Sequence, residues 1–164
     1  MTHRIIDWVR MLSIVVAVLL GVFLWSTRDS GFSFKAIFFT ATPVIHLGNV
    51  PVRIEVAETE AERTKGLSGR PDMGDVQGLL FIFPEADYHA MWMKDMKFAI
   101  DVIWISEDLE VVTINKNVRS DSFPKTFRPA KPAKYALETN AQFADTFGIR
   151  EGMTVRIPAQ YLEE

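Results

Sequence analysis

Apolar and polar positions fall into two regimes along the chain. Residues 11 to 25, MLSIVVAVLLGVFLW, carry no charge, whereas the sequence beyond residue 33 alternates short apolar runs with polar turns. The first regime predicts one apolar helix with no polar face to turn to water. In the second, Val52, Ile54 and Val56 alternate with Arg53 and Glu55, the period of a strand with one buried face. AIFFTATPVIHL, the Gly48-Asn49 pair and VPVRIEVA together read as strands around a turn. Thr59-Glu60-Ala61-Glu62 has the form of a capping box, so a short helix is expected over about 60 to 66, stopped by Gly66.

The glycine- and aspartate-rich GLSGRPDMGDVQG (66 to 78) predicts an irregular loop, and LLFIF a buried strand ended by Pro84. FAIDVIWI pairs with LEVVTINKNV across the Ser106-Glu107-Asp108 turn as a hairpin. RSDSFPKTFRPAKPAK (119 to 134) has three prolines and five basic residues without apolar periodicity, and so reads as a surface loop. A short strand (YALE), a helix capped by Thr139 or Asn140 and ended by Gly148, a turn at Glu151-Gly152 and a last strand, MTVRIP, complete the chain. The expected class is a β-rich α+β fold. Its architecture is a compact irregular barrel or rolled, mostly antiparallel sheet with two short helices, preceded by one N-terminal transmembrane helix.

Charge and composition sharpen the outline. At 1.5 Å per residue the apolar block spans roughly 22 Å, short of a hydrocarbon core of about 30 Å. Snorkelling by Arg10 and interfacial placement of Trp8 and Trp25 make up the difference. The STRDSGFSF that follows lacks a small-x-small cleavage pattern, so an uncleaved signal anchor is expected. The expected order is a cytoplasmic N-terminus (1 to 10), a single-pass anchor in the inner membrane (11 to 26), a linker (27 to 33) and a domain in the periplasm or outside the cell (34 to 164). The first 29 residues hold three of the 18 basic and two of the 21 acidic side chains, leaving 15 against 19 beyond. That balance offers no footprint for nucleic acid, which is bound by neutralising phosphates. With no cysteine, disulfides, thiolate metal sites and cysteine nucleophiles are excluded.

The chemistry concentrates in HAMWMKDMKFAIDVIWI, residues 89 to 105. His89, Met91 and Met93 would share one face of a strand, with Met96 nearby, and thioethers with imidazole suit Cu(I). Methionines also fill core gaps, and no metal or cofactor is assigned on this pattern. Asp95, Asp101 and Glu138 are carboxylates near or within apolar strands, and hydrolases often use two. Asp101, between Ile100 and Val102, must be paired with Arg70, Lys94 or an amide, while Glu138 stands where a following helix would favour an anion. No G-x-S-x-G elbow is present, and only two of the three histidines lie outside the N-terminal block, which excludes a serine hydrolase. A recognition site remains: Trp92 as an apolar wall, with Arg70, Lys94, Asp101 and Glu138 as polar anchors.

GLSGR (66 to 70), GLLFIFPE (78 to 85), MWMKDMKFAIDVIWI (91 to 105) and AKYALETNAQFADTFGIREGMTVRI (133 to 157) together resemble the DUF192 family of bacterial and archaeal proteins. The resemblance spans about residues 50 to 158 and implies a compact β-rich domain with short helices, commonly secreted or membrane-anchored. It carries over Gly66, Arg70, Trp92, Met93, Lys94, Asp101, Leu137 and Glu138, and departs at Asp95 (usually Asn), Met96 (Thr) and Ala99 (Pro). The family brings no established activity. The expectation is therefore a binding or envelope-assembly module for a small molecule, glycan or peptide. Its alternatives are a hydrolase using Asp101 with Glu138 or Asp95, and a Cu(I) protein using Met91, Met93 and His89.

Overall fold

In the computed structural model, residues 42–74 and 77–162 are described. The chain divides into two units, Met1–Phe39 and Thr40–Glu164, and every described residue belongs to the second. The expected anchor at 11 to 26 and linker at 27 to 33 lie outside the described residues. Among those described, no helix is long and apolar enough to cross a membrane.

Strands β1 (Val44–Leu47) and β2 (Val50–Ala57) form the expected hairpin, turning at Gly48 with φ 59°. Helix α1 (Glu60–Lys65) begins with the full capping box: Thr59 Oγ1 accepts from Glu62 N, and the Glu62 carboxylate accepts from the Thr59 and Glu58 amides. The chain then enters β3 (Gly78–Asp87), parallel to β2. Pro84 does not end this strand as expected. The ladder to its antiparallel neighbour breaks between Ile82 and Asp87, so no bond is required from the missing proline N–H.

A two-residue strand β4 (Met91–Trp92), the hairpin β5 (Ile100–Ile105) and β6 (Val111–Val118), and a second two-residue strand β7 (Thr126–Phe127) follow. The expected loop 119 to 134 therefore holds a strand, with Met91 opposite Phe127 and Trp92 opposite Thr126. Strand β8 (Ala133–Asn140) is twice the length of YALE, because it is central rather than peripheral. Helix α2 (Phe143–Thr146) and β9 (Val155–Arg156) complete the fold. The large sheet runs β6-β5-β8-β3-β2-β1-β9. It curls until its two ends meet: Glu110 bridges Thr154, Val155 N donates to Leu109 O at 2.8 Å, and Val111 N to Met153 O at 2.9 Å. The rolled, mostly antiparallel sheet with two short helices is thus the observed architecture.

Alternation across this sheet builds two cores. Leu80, Leu137 and Ile103 stand in register on β3, β8 and β5, as do Ile82, Tyr135 and Ile105, and all face the inner core with Ile45, Val52 and Val155. The intervening residues, including Leu79, Phe81, Val102 and Trp104, face an outer core completed by Leu67, Met73 and Met93 from the loops. All six residues of β5 are buried for this reason, which is why its sequence does not alternate. Trp104 fits because its Nε1–H donates to Asn115 Oδ1 at 2.8 Å.

One end of the inner core is plugged by α2 through Phe143 and Ala144, with Ile149 beyond it. The expected cap at Thr139 or Asn140 is not the one used. Gln142 occupies the N-cap in the left-handed region (φ 71°) and makes no side-chain cap bond. Instead Asp101, fully buried on β5, accepts from Ala144 N at 2.9 Å and Gln142 N at 3.3 Å. It also accepts from Asn117 N at 2.7 Å. Asn117 (φ 51°) is left-handed too, so one carboxylate offsets two conformations that cost roughly 1–2 kcal/mol each in L-residues. Hydrogen bonds to a charged partner contribute about 1.5–3 kcal/mol apiece. Asp101→Ala should therefore lower unfolding free energy by about 3–5 kcal/mol in urea titration, and Asp101→Asn, which aims an amide donor at an amide N–H, by about 1–3 kcal/mol.

Candidate functional site

The outer core has an opening over β8. Glu138 lies in register with Leu79 on one side and Val102 on the other, so its side chain rises into the outer core. It does not sit at a helix start as its place in the sequence suggested; that role belongs to Asp101. Phe81 and Phe83, two apart on β3, share this outer face, the first packed in the outer core and the second against it. Above them a cleft of about 200 Å³ opens between α1 with residues Gly66 to Ser68 on one wall and Met91, Trp92 and Met96 on the other.

Backbone constraints hold these walls. At Gly66 the chain leaves α1 with φ 47°, and a Cβ there would come within 3.2 Å of Phe81 Cζ. Only a glycine lets the loop approach the aromatic ring so closely. Ser68 Oγ donates to Lys94 O at 2.8 Å and Gly69 N to Asp95 O at 2.9 Å, tying the two walls together. Asp95 is left-handed (φ 60°), a conformation that Asn and Asp tolerate best among residues with a side chain.

The floor is chemically unusual. Glu138 is 4% exposed, and its Oε2 is buried with no hydrogen-bond partner. Burial alone pushes its carboxyl up to about 8, so at neutral pH it is largely an uncharged acid and a potential proton donor. Trp92, 49% exposed, stands at the rim.

Of the five residues read as candidate anchors, the structure brings Trp92 and Glu138 to this cleft. Arg70 is spent elsewhere: its Nη1 and Nη2 donate to Glu55 Oε1 and Oε2 at 3.0 and 2.5 Å, fastening the loop to β2. That guanidinium holds the Glu55 carboxyl below the usual glutamate range. Lys94 is exposed on the turn and contributes its carbonyl to Ser68. Asp101 faces the inner core, opposite to Glu138, so the two carboxyls project from different faces of the sheet. His89 stacks on Phe83 with centroids 3.8 Å apart, and its Nε2 bonds Glu85 O at 2.8 Å. Met93 is packed in the outer core while Met91 lines the cleft. Among the described residues, no group of three or more His, Cys, Asp or Glu side chains is placed to hold a metal. The sequence reading missed Phe81 and Phe83 as wall residues, although their spacing in LLFIF already put them on one face.

The fold and cleft define a small rolled-sheet domain with a buried acid beneath a cleft of mixed lining. The chain belongs to the DUF192 family (Uncharacterized ACR), whose model matches residues 44–157. It is similar to a protein of unknown function from Novosphingobium aromaticivorans DSM 12444, at 31% identity and a TM-score of 0.64, over 70% of this chain and 83% of that one. A Sinorhizobium meliloti 1021 protein whose structure bears the name "putative transcription regulator" is 29% identical, with a TM-score of 0.62, over 66% of this chain and 83% of that one. No curated protein matches the chain.

The buried acid sets a pH dependence. Because the folded-state value of Glu138 lies above its ordinary 4.5, its contribution to stability is fully present below 4.5 and is lost as pH rises towards about 8. Relative to Glu138→Gln, wild-type unfolding free energy should fall by up to ~1.4 kcal/mol per pH unit across that window. Glu138→Leu should raise stability at pH 7 by about 1–3 kcal/mol, since it removes a buried polar group without a partner. Denaturant titrations at several pH values check both; a difference from Glu138→Gln that is constant with pH contradicts the buried acid.

Proposed function

We propose that this protein is a binding module whose cleft over Glu138 takes a small molecule, or the end group of one, from the extracytoplasmic side of the membrane. The observation that carries this reading is Glu138 Oε2, buried at the cleft without a partner. A buried polar atom without a partner costs stability and calls for an explanation. Ser122 Oγ and Thr139 Oγ1 are unpartnered too, but neither lines this cleft, where a ligand group can supply the missing bond to Glu138. The surroundings agree: Phe81, Phe83, Met91, Met96 and Trp92 form an apolar part of the lining beside Glu138, and polar residues of α1 and the following loop form the other wall. The volume of about 200 Å³ lies below the roughly 300–1,000 Å³ of drug-sized pockets, which favours a small ligand over a glycan.

A hydrolase built on Asp101 and Glu138 finds no support in carboxyls that face opposite cores, and Asp95 is committed to an exposed turn. Copper binding finds none in a His89 ring already stacked and bonded. A DNA-binding reading, which the name of the Sinorhizobium relative would suggest, meets a chain of net charge −3.

The signal anchor at residues 11 to 26 belongs to the same proposal, supported by its uncharged run and basic flank. Intact-mass measurement of the protein purified from membranes should find residues 11 to 25 still attached; a mature chain starting beyond them would mean a cleaved leader. For the cleft, a fragment screen by methyl NMR on the full chain in lipid nanodiscs should yield ligands that move the Met91 and Met96 methyl signals. Ala90→Trp, placed at the exposed rim to fill the opening, should reduce those shifts by at least tenfold in affinity. Ligands that bind without moving either methionine would refute the cleft as the site.

A further inference from the structure

The floor of the cleft holds a single acid, Glu138, while the other polar residues of its lining, Glu60, Arg63, Thr64, Lys65 and Ser68, all stand on or just after α1. The charged groups facing it are all on α1: Glu60, Arg63 and Lys65. Strand β3 contributes Phe81 and Phe83, and the opposite wall Met91, Trp92 and Met96, none of which titrates. Arg63 is already committed. Its Nη1 donates to the carbonyls of Glu58 and of Ile82, the latter at 2.9 Å, and its guanidinium lies 5.9 Å over the Phe83 ring. Glu60 and Lys65 are exposed and opposite in sign. Burial is what pushes the Glu138 carboxyl up.

Three end groups can then be compared. A carboxylate at the floor would lose its hydration beside Glu138, while the two cations of the lining stand on the α1 wall, Arg63 bonded to backbone carbonyls and Lys65 exposed to water. An ammonium would require Glu138 to ionise where burial opposes ionisation. An uncharged carbonyl oxygen asks only for a donor, which a protonated carboxyl supplies, and no charge is buried. We propose that the cleft recognises an uncharged carbonyl, of an amide or ester carried on a small apolar body, as the acceptor of a hydrogen bond from the Glu138 carboxyl. This rests on the binding reading above and names the chemistry of its ligand.

Benzamide, benzoate and benzylammonium have similar size and differ in charge, so they separate the cases. Each would be titrated into the full chain in lipid nanodiscs, reading the Met91 and Met96 methyl signals and the Trp92 indole N–H. Benzamide should bind best of the three, with affinity constant at low pH and falling about tenfold per pH unit above about 8, where the Glu138 proton is lost. Glu138→Gln keeps an N–H donor and should keep benzamide binding while abolishing its pH dependence. Glu138→Leu should abolish binding in a protein that still folds. Preference for benzylammonium, strengthening with pH and lost in Glu138→Gln, would overturn the carbonyl assignment and leave the binding reading standing. Preference for benzoate would do the same. If no probe moves the cleft signals, both fall.

Discussion

The fold depends on where one carboxylate stands. Asp101 is fully buried in a strand of apolar residues and collects amides from β6 and from both sides of the start of α2. Without it, one buried and two part-buried N–H groups would lose this acceptor, two left-handed residues would lack compensation, and the plug formed by Phe143 and Ala144 would lose its tether to the rolled sheet. A charge is the right acceptor here because a single side chain must serve several donors at once, and a carboxylate has the lone pairs to do so.

Strand alternation then separates structure from candidate function. One residue along from Asp101, the row Leu79–Glu138–Val102 points the other way, into the outer core. Both carboxyls are buried within the same three strands, yet their circumstances are opposite. Asp101 is saturated with donors and Glu138 has an oxygen with none. The contrast separates a carboxyl saturated by backbone donors from one with an unpartnered oxygen, something burial alone would not distinguish. Gly78 fits the same architecture: a Cβ there would lie 2.8 Å from Leu137 Cδ1 and 2.9 Å from Glu138 O, so β3 can lie close to β8 only because that position is bare.

Local patterns in the sequence were good guides wherever a segment carries its own signal. The capping box of α1, the Gly48-Asn49 turn and the β5–β6 hairpin each depend on neighbours within a few residues. What could not be read locally was whatever the sheet supplies at a distance. The cap of α2 comes from a residue about forty positions earlier, so the nearby Thr139 and Asn140 were misleading. YALE looked like a minor strand because its central position is set by partners on both sides, not by its own pattern. For the candidate site, the family motifs contain Trp92 and Glu138, which line the cleft, but proximity in a motif did not separate them from Arg70 and Lys94, whose bonds brace the walls. The unpaired state of Glu138 is a property of the packed outer core and has no trace in the sequence.

The position of β8 also sets an order of events during synthesis. It lies between β3 and β5, which never pair with each other, so a chain made only as far as residue 132 holds two part-sheets. Each has an open edge, rich in apolar residues: Leu79 to Ile82 on one, Val102 to Ile105 on the other. Such edges invite pairing with other chains. The segment Ala133–Asn140 closes both in one step, and the seam between residues 109–111 and 152–155 can form only after that. The nascent protein therefore passes through a vulnerable interval whose end is timed by the emergence of a single strand.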